Sequence, residues 1–217
     1  MKNRRFVLVP AAGLLLALVL QGGAALACWG QTLLDREQRA NERQPPAKVM
    51  DAIGLRPGMV VGEVGAGRGR YTIHLAARVG ATGRVYANDI DESELGALRE
   101  RCRRDKIANI ETIVGRVDDP RFPKASLDLV FMVLTYHHLA EPVALLKNLI
   151  PSLKPGATVV VVDPDPAKDL GRPASEYTSR EKIEREAAAA GFEIARVETF
   201  LPKDGLFILK LKNPAGK

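Results

Sequence analysis

The stretch Val61-Gly62-Glu63-Val64-Gly65-Ala66-Gly67-Arg68-Gly69 decides how the rest of the chain reads. An apolar run, Met59–Val64, follows the turn Leu55-Arg56-Pro57-Gly58 and breaks into glycines just before a helical pattern. Glycine lets the backbone turn sharply and come close to a ligand. The helix behind it starts with N–H groups that have no partner of their own. In open α/β sheets, ligands bind in such a crevice at the carboxyl ends of the strands. A glycine-rich loop is equally a plain structural turn when taken alone.

Working outward, strands and helices alternate. Ala47–Ile53 reads as a short helix after Gln44-Pro45-Pro46, since proline lacks a donor and restrains its predecessor. Tyr71–Arg78 is helical, Arg84–Asp89 a strand, and Glu92–Lys106 a helix with Asp91 placed to cap it. Ile110–Val114 and Leu127–Leu134 are strands, Pro142–Leu149 a helix, and Ala157–Asp163 a Val-rich strand. A Pro/Gly-rich loop runs from Asp163 to Tyr177. Thr178-Ser179-Arg180-Glu181 forms a capping-box pattern opening a helix to Ala190, and Gly191 stops it. Phe192–Phe200 and Leu206–Lys212 close the chain as strands around the turn Lys203-Asp204-Gly205. This pattern predicts an α/β, doubly wound, seven-stranded and mostly parallel sheet. With no helix inside the last pair, the last strand should be antiparallel.

Asp89 ends the second strand, 20 residues after Gly69. A carboxylate there can accept both hydroxyls of a ribose, or simply cap the next helix. These residues resemble the class I S-adenosylmethionine-dependent methyltransferases. That family's first motif is an acidic residue followed by Gly-x-Gly-x-Gly, matched by Glu63, Gly65, Gly67 and Gly69. A dinucleotide fingerprint would place its last glycine at position 70, which is Arg70. An acidic residue at position 63 would also repel a pyrophosphate, whereas it favours an ammonium or sulfonium. The resemblance extends to Val85-Tyr86-Ala87-Asn88-Asp89-Ile90-Asp91, with Asp89 as the ribose ligand and Ile90 beside the adenine. In Gly115-Arg116-Val117-Asp118-Asp119, Asp118 fits the family's acceptor for the adenine amino group, or else a turn carboxylate. Leu127–Leu134 with Thr135-Tyr136-His137-His138-Leu139, and Lys154-Pro155-Gly156-Ala157, continue the match over about residues 47–212. The resemblance is closest to the branch with quinone and arsenite methyltransferases. It implies a Rossmann-like methyltransferase fold, S-adenosyl-L-methionine as cofactor, and donor contacts from Glu63, Gly65, Ala66, Gly67, Gly69, Asp89, Ile90 and Asp118.

Methyl transfer is an in-line displacement in which the protein mainly supplies proximity and orientation. A neutral acceptor adds the need for a base. Tyr136, His137 and His138 sit where the acceptor should approach; His137 and Tyr136 are the catalytic candidates, against a histidine packed or hydrogen-bonded under the loop. Asp163 and Asp165 stand second, and the loop from Pro164 to Tyr177 is a candidate lid. Tyr71 and His74 are candidate donor-pocket residues, Tyr71 equally a packing residue.

The chain has 217 residues and a formal net charge of +6. Lys2, Arg4 and Arg5 precede an apolar run, Phe6 to Leu20, and Ala25-Leu26-Ala27 gives an A-x-A site before Cys28. That is the pattern of a secretory signal peptide, and the run is short for a membrane span. Without residues 1–27 the balance is 29 basic to 26 acidic, interspersed, which argues against nucleic acid. The organisation expected is a signal peptide over 1–27, an arm or helix over 28–46 and the catalytic domain over 47–217. Export implies the periplasm. Membrane contact would come only through an uncleaved leader or a lipidated Cys28, and facing the cytosol from an anchor is the alternative. Two cysteines and no Cys/His cluster point to no metal. The partner expected is a small molecule. Competing readings are an exported non-catalytic adenosyl-ligand-binding protein on the same fold, and a nicotinamide oxidoreductase, disfavoured by the glycine spacing.

Overall fold

A computed structural model describes residues 35–169 and 171–212. The leader, Cys28 and the start of the arm therefore lie outside the described residues. The chain divides into a unit ending at Glu42 and one beginning at Arg43. In the first, the described residues are helical, and Gln38 Nε2 donates to Glu42 Oε1 at 3.3 Å.

The second unit runs α1 (Pro46–Ala52), β1 (Val60–Val64), α2 (Thr72–Val79), β2 (Arg84–Asp89), α3 (Glu92–Asp105), β3 (Ile110–Val114) and β4 (Leu127–Val133). It continues with α4 (Pro142–Leu149), β5 (Leu153–Pro164), α5 (Arg180–Ala189), β6 (Phe192–Glu198) and β7 (Asp204–Leu211). The strands form one seven-stranded sheet in the order β3-β2-β1-β4-β5-β7-β6. Every pairing is parallel except those of β7, which runs antiparallel to β5 and β6. The doubly wound α/β architecture and the antiparallel last strand are as the sequence predicts. Strand order reverses between β1 and β4, which opens a crevice at their carboxyl ends.

Alternating side chains of the central strands feed two cores. Leu129, Phe131, Val160 and Val162 point toward α1 and α2, meeting Val49, Leu75 and Val79. Val130, Met132, Val159 and Val161 point the other way, toward Leu145, Leu146 and Leu149 of α4 and Ile183 of α5. Because both faces are covered, β4 and β5 are continuous apolar runs rather than alternating ones.

Local chemistry sets most boundaries. Asp91 caps α3, its Oδ1 accepting from the N–H groups of Ser93 and Glu94. Gly80 closes α2 at φ 67°. The capping of α5 differs from the expected box. Ser179 is the N-cap and accepts from Lys182 N–H, while the hydroxyl of Thr178 donates to Asp163. β5 begins at Leu153, earlier than its Val-rich part, because Leu153 pairs with Leu127 across a register shift. Asp204 is the first residue of β7 rather than a turn residue, pairing with Pro164.

Candidate active site

At the ends of β1, β2 and β4 lies an open hollow of about 280 Å³. Gly65, Asp89, Ile90, Val117, Thr135 and His138 are among its walls. Gly65 shapes its floor, and Gly67 follows in the loop beside it. Gly65 has φ +74°, and a Cβ there would collide with the side chain of Thr135, so the loops after β1 and β4 meet only through bare backbone. Gly67 has φ +52°, and a Cβ there would meet nothing nearer than Glu94 Oε2 at 3.8 Å. Its N–H donates to Asp89 Oδ2 at 2.8 Å, while Asp89 Oδ1 accepts from Asp91 N–H at 3.0 Å. A carboxylate offers about four lone-pair sites. The backbone occupies one on each oxygen, leaving one on each for a ligand diol.

Glu63, the last residue but one of β1, lies behind this loop, 1% exposed, and accepts from Thr72 Oγ1 at 2.5 Å. Burial pushes its carboxyl up to about 7, against the pull of the Thr72 hydroxyl and the Arg70 guanidinium. A cation brought close would favour its ionised form. Ala66 turns its methyl onto Leu95 and Leu98, and its N–H donates to Asn88 O at 2.9 Å. Gly69 packs so tightly on Leu98 that a Cβ would clash. These three support the loop rather than line the hollow. Ile90, 60% exposed, and Val117, 51% exposed, offer apolar surface to the hollow, as expected of a site for a flat base.

Three placements correct the sequence reading. Asp118 is half-buried and does not line the hollow; its neighbours Arg116 and Val117 do, because the turn presents them instead. Tyr136 is fully buried in the core and does not line the hollow, its hydroxyl donating to Glu186 Oε2 at 3.0 Å, with burial pushing the phenol well above its usual range. His137 is turned inward onto Asp163, and it is His138 that lines the hollow. Tyr71 is a packing residue: its ring lies 5.0 Å from that of Phe131, and its hydroxyl donates to Gln44 O at 2.9 Å. No sequence signal separated His137 from His138, because the 3-10 turn Tyr136–His138 sets their directions.

The profile of the methyltransferase-domain family matches residues 61–156. A solved S-adenosylmethionine-dependent methyltransferase from Aquifex aeolicus is 30% identical, covering 76% of this chain and 88% of that one at TM-score 0.70. The chain belongs to the S-adenosylmethionine-dependent methyltransferases. A curated ubiquinone/menaquinone biosynthesis C-methyltransferase (UbiE) from Hydrogenovibrio crunogenus is 32% identical to this methyltransferase over 111 residues. That alignment covers 51% of this chain and 44% of the relative, so it spans under half of the curated protein's length. The geranyl diphosphate C-methyltransferase of Streptomyces coelicolor A3(2), solved with S-adenosyl-L-homocysteine, shares the fold at TM-score 0.64 and 15% identity, with 79% of each chain covered. The family's methyl donor fits the bare backbone at Gly65 and the half-used carboxylate of Asp89 beside the hollow.

Proposed function

We propose that this chain transfers a methyl group from S-adenosylmethionine to a small-molecule acceptor. The observation that carries it is the Asp89 carboxylate, held by Gly67 N–H beside an open hollow at the strand-order reversal. The bound donor supplies a methyl group already activated on a sulfonium. Asp89 would hold the ribose, Ile90 and Val117 would flank the adenine, and Glu63, buried behind the loop, would act on the cationic end only through its charge. Holding two reactants in line contributes up to ~7–11 kcal/mol of barrier lowering, so orientation by these residues is their main task. On the acceptor side Leu134, Leu139 and Leu145 give an apolar wall with His138 as its polar group. That composition suits a largely apolar acceptor, and the C-methyltransferase relatives point the same way.

Calorimetric titration with S-adenosylmethionine and with NAD tests the donor, with binding of the first alone expected. Transfer of labelled methyl to a panel of hydroquinones, prenyl diphosphates and arsenite then tests the reaction. Binding without transfer to any of them would favour the non-catalytic alternative.

We further infer that residues 1–27 direct export, so that the enzyme works in the periplasm or from the inner membrane. This rests on Lys2, Arg4 and Arg5, the apolar run and Ala25-Leu26-Ala27. Cell fractionation with sequencing of the mature N-terminus tests it; an intact Met1 in the cytosol would refute it. Among the described residues, no helix is long and apolar enough to cross a membrane.

A further inference from the structure

At the carboxyl end of β5, the fully buried carboxylate of Asp163 gathers donors from segments remote in sequence. Oδ1 accepts Thr135 N–H at 3.1 Å. Oδ2 accepts His137 N–H at 2.7 Å and the Thr178 hydroxyl at 2.7 Å, and lies 3.0 Å from His137 Nδ1. A carboxylate that meets so many donors is an acceptor throughout. Nδ1 is therefore the His137 nitrogen that carries a hydrogen toward it.

The turn 135–138 is pinned on both flanks. Tyr136 is fixed in the core through Glu186, and the His137 side chain, 5% exposed, is fixed to Asp163. Within the turn, only the bond from His138 N–H to Thr135 O, at 2.9 Å, holds His138 directly. Its ring is backed instead by the ring of His137, with centroids 3.9 Å apart and planes tilted by 47°. His138 is exposed and faces the hollow beside Thr135. Thr178, at the end of the loop after β5, ties that loop into the same frame.

We propose that Asp163 is a positioning residue, acting through His137, and that His138 is the side chain this frame presents to the acceptor. The proposal rests on the methyl-transfer reading for what enters the hollow, but not for the frame itself. Asp163→Asn keeps an oxygen for Thr135 N–H while placing an amide donor against His137 and Thr178. Thr178→Val is nearly isosteric and removes one donor; Thr178→Ser restores it.

Imidazole nitrogen NMR on the full chain tests the frame, with only three histidines to assign. The expected wild-type spectrum has a solvent-protected Nδ1–H signal from His137. Asp163→Asn should abolish that signal and displace those of His138. Thr178→Val should displace the His138 signals and Thr178→Ser should not, so the Thr178 pair decides if Asp163→Asn fails to fold. S-adenosylhomocysteine, titrated by calorimetry, should bind each folded variant as it binds the wild type. His138 signals unmoved by the substitutions would overturn the proposal, as would His137 protonated only at Nε2. Donor-product affinity lost in step with the His138 displacement would overturn it too, because the cluster would then be a general structural support. Failure of S-adenosylhomocysteine to bind the wild type would strike the methyl-transfer reading and leave the NMR test of the frame standing.

Discussion

Asp89 and Glu63 are both carboxylates at or near strand ends, yet their surroundings give them opposite tasks. Asp89 keeps a free lone pair on each oxygen and borders the hollow. Asp89→Ala should weaken S-adenosylhomocysteine binding by about 1–3 kcal/mol, the worth of hydrogen bonds to a charged group. Titration calorimetry reads this directly, and an unchanged affinity would remove Asp89 from the site. Glu63 is buried, with its carboxyl raised to about 7 from 4.5. Folding thus favours its protonated form. That stabilising contribution is full below about pH 4.5 and is lost as pH rises through 7, a swing of about 3 kcal/mol. Without ligand, Glu63→Gln should therefore be more stable than wild type at alkaline pH, with the gap closing toward the acid end. Denaturant unfolding across that range checks it, and a wild type that is the more stable protein at alkaline pH would contradict the burial argument.

At the level of elements, caps and close approaches carry the sequence signal. Ser179 accepts from Lys182 N–H at 3.2 Å, so Ser179→Ala should lower unfolding free energy by about 1 kcal/mol while leaving donor binding alone. Gly62 in β1 has a different constraint. A Cβ there would sit 2.8 Å from both Leu127 Cδ1 and Phe122 Cε2. Gly62→Ala should overpack the core and cost about 1–3 kcal/mol, readable as a lower midpoint in denaturant. Strand and helix identities were legible because each has its own period and its own punctuation: Asp91 before α3, Gly191 after α5, a Pro-Gly turn before β1. Boundaries at β5 and β7 were not, since pairing partners extend those strands past their apolar runs.

Across the whole molecule, contacts between distant segments decide what local pattern leaves open. Arg43 forms a bidentate pair with Asp204, 2.8 and 2.7 Å, joining the segment before α1 to the start of β7. Asp204 is fully buried, so Arg43→Met should leave a carboxylate without its cation and cost about 3–5 kcal/mol in unfolding experiments. A loss near zero would show that neighbouring donors suffice.

By itself, the sequence determined the alternation of strands and helices, the glycine loop and the acid that closes the next strand. Those features depend on residues close together along the chain, whose periodicity and backbone freedom are local properties. The tertiary structure alone decided which way the Tyr-His-His turn faces, that Arg116 and Val117 rather than Asp118 meet the hollow, and that Asp163 gathers Thr135, His137 and Thr178. A side chain's direction out of a short turn is set by partners dozens of residues away, which no local pattern encodes.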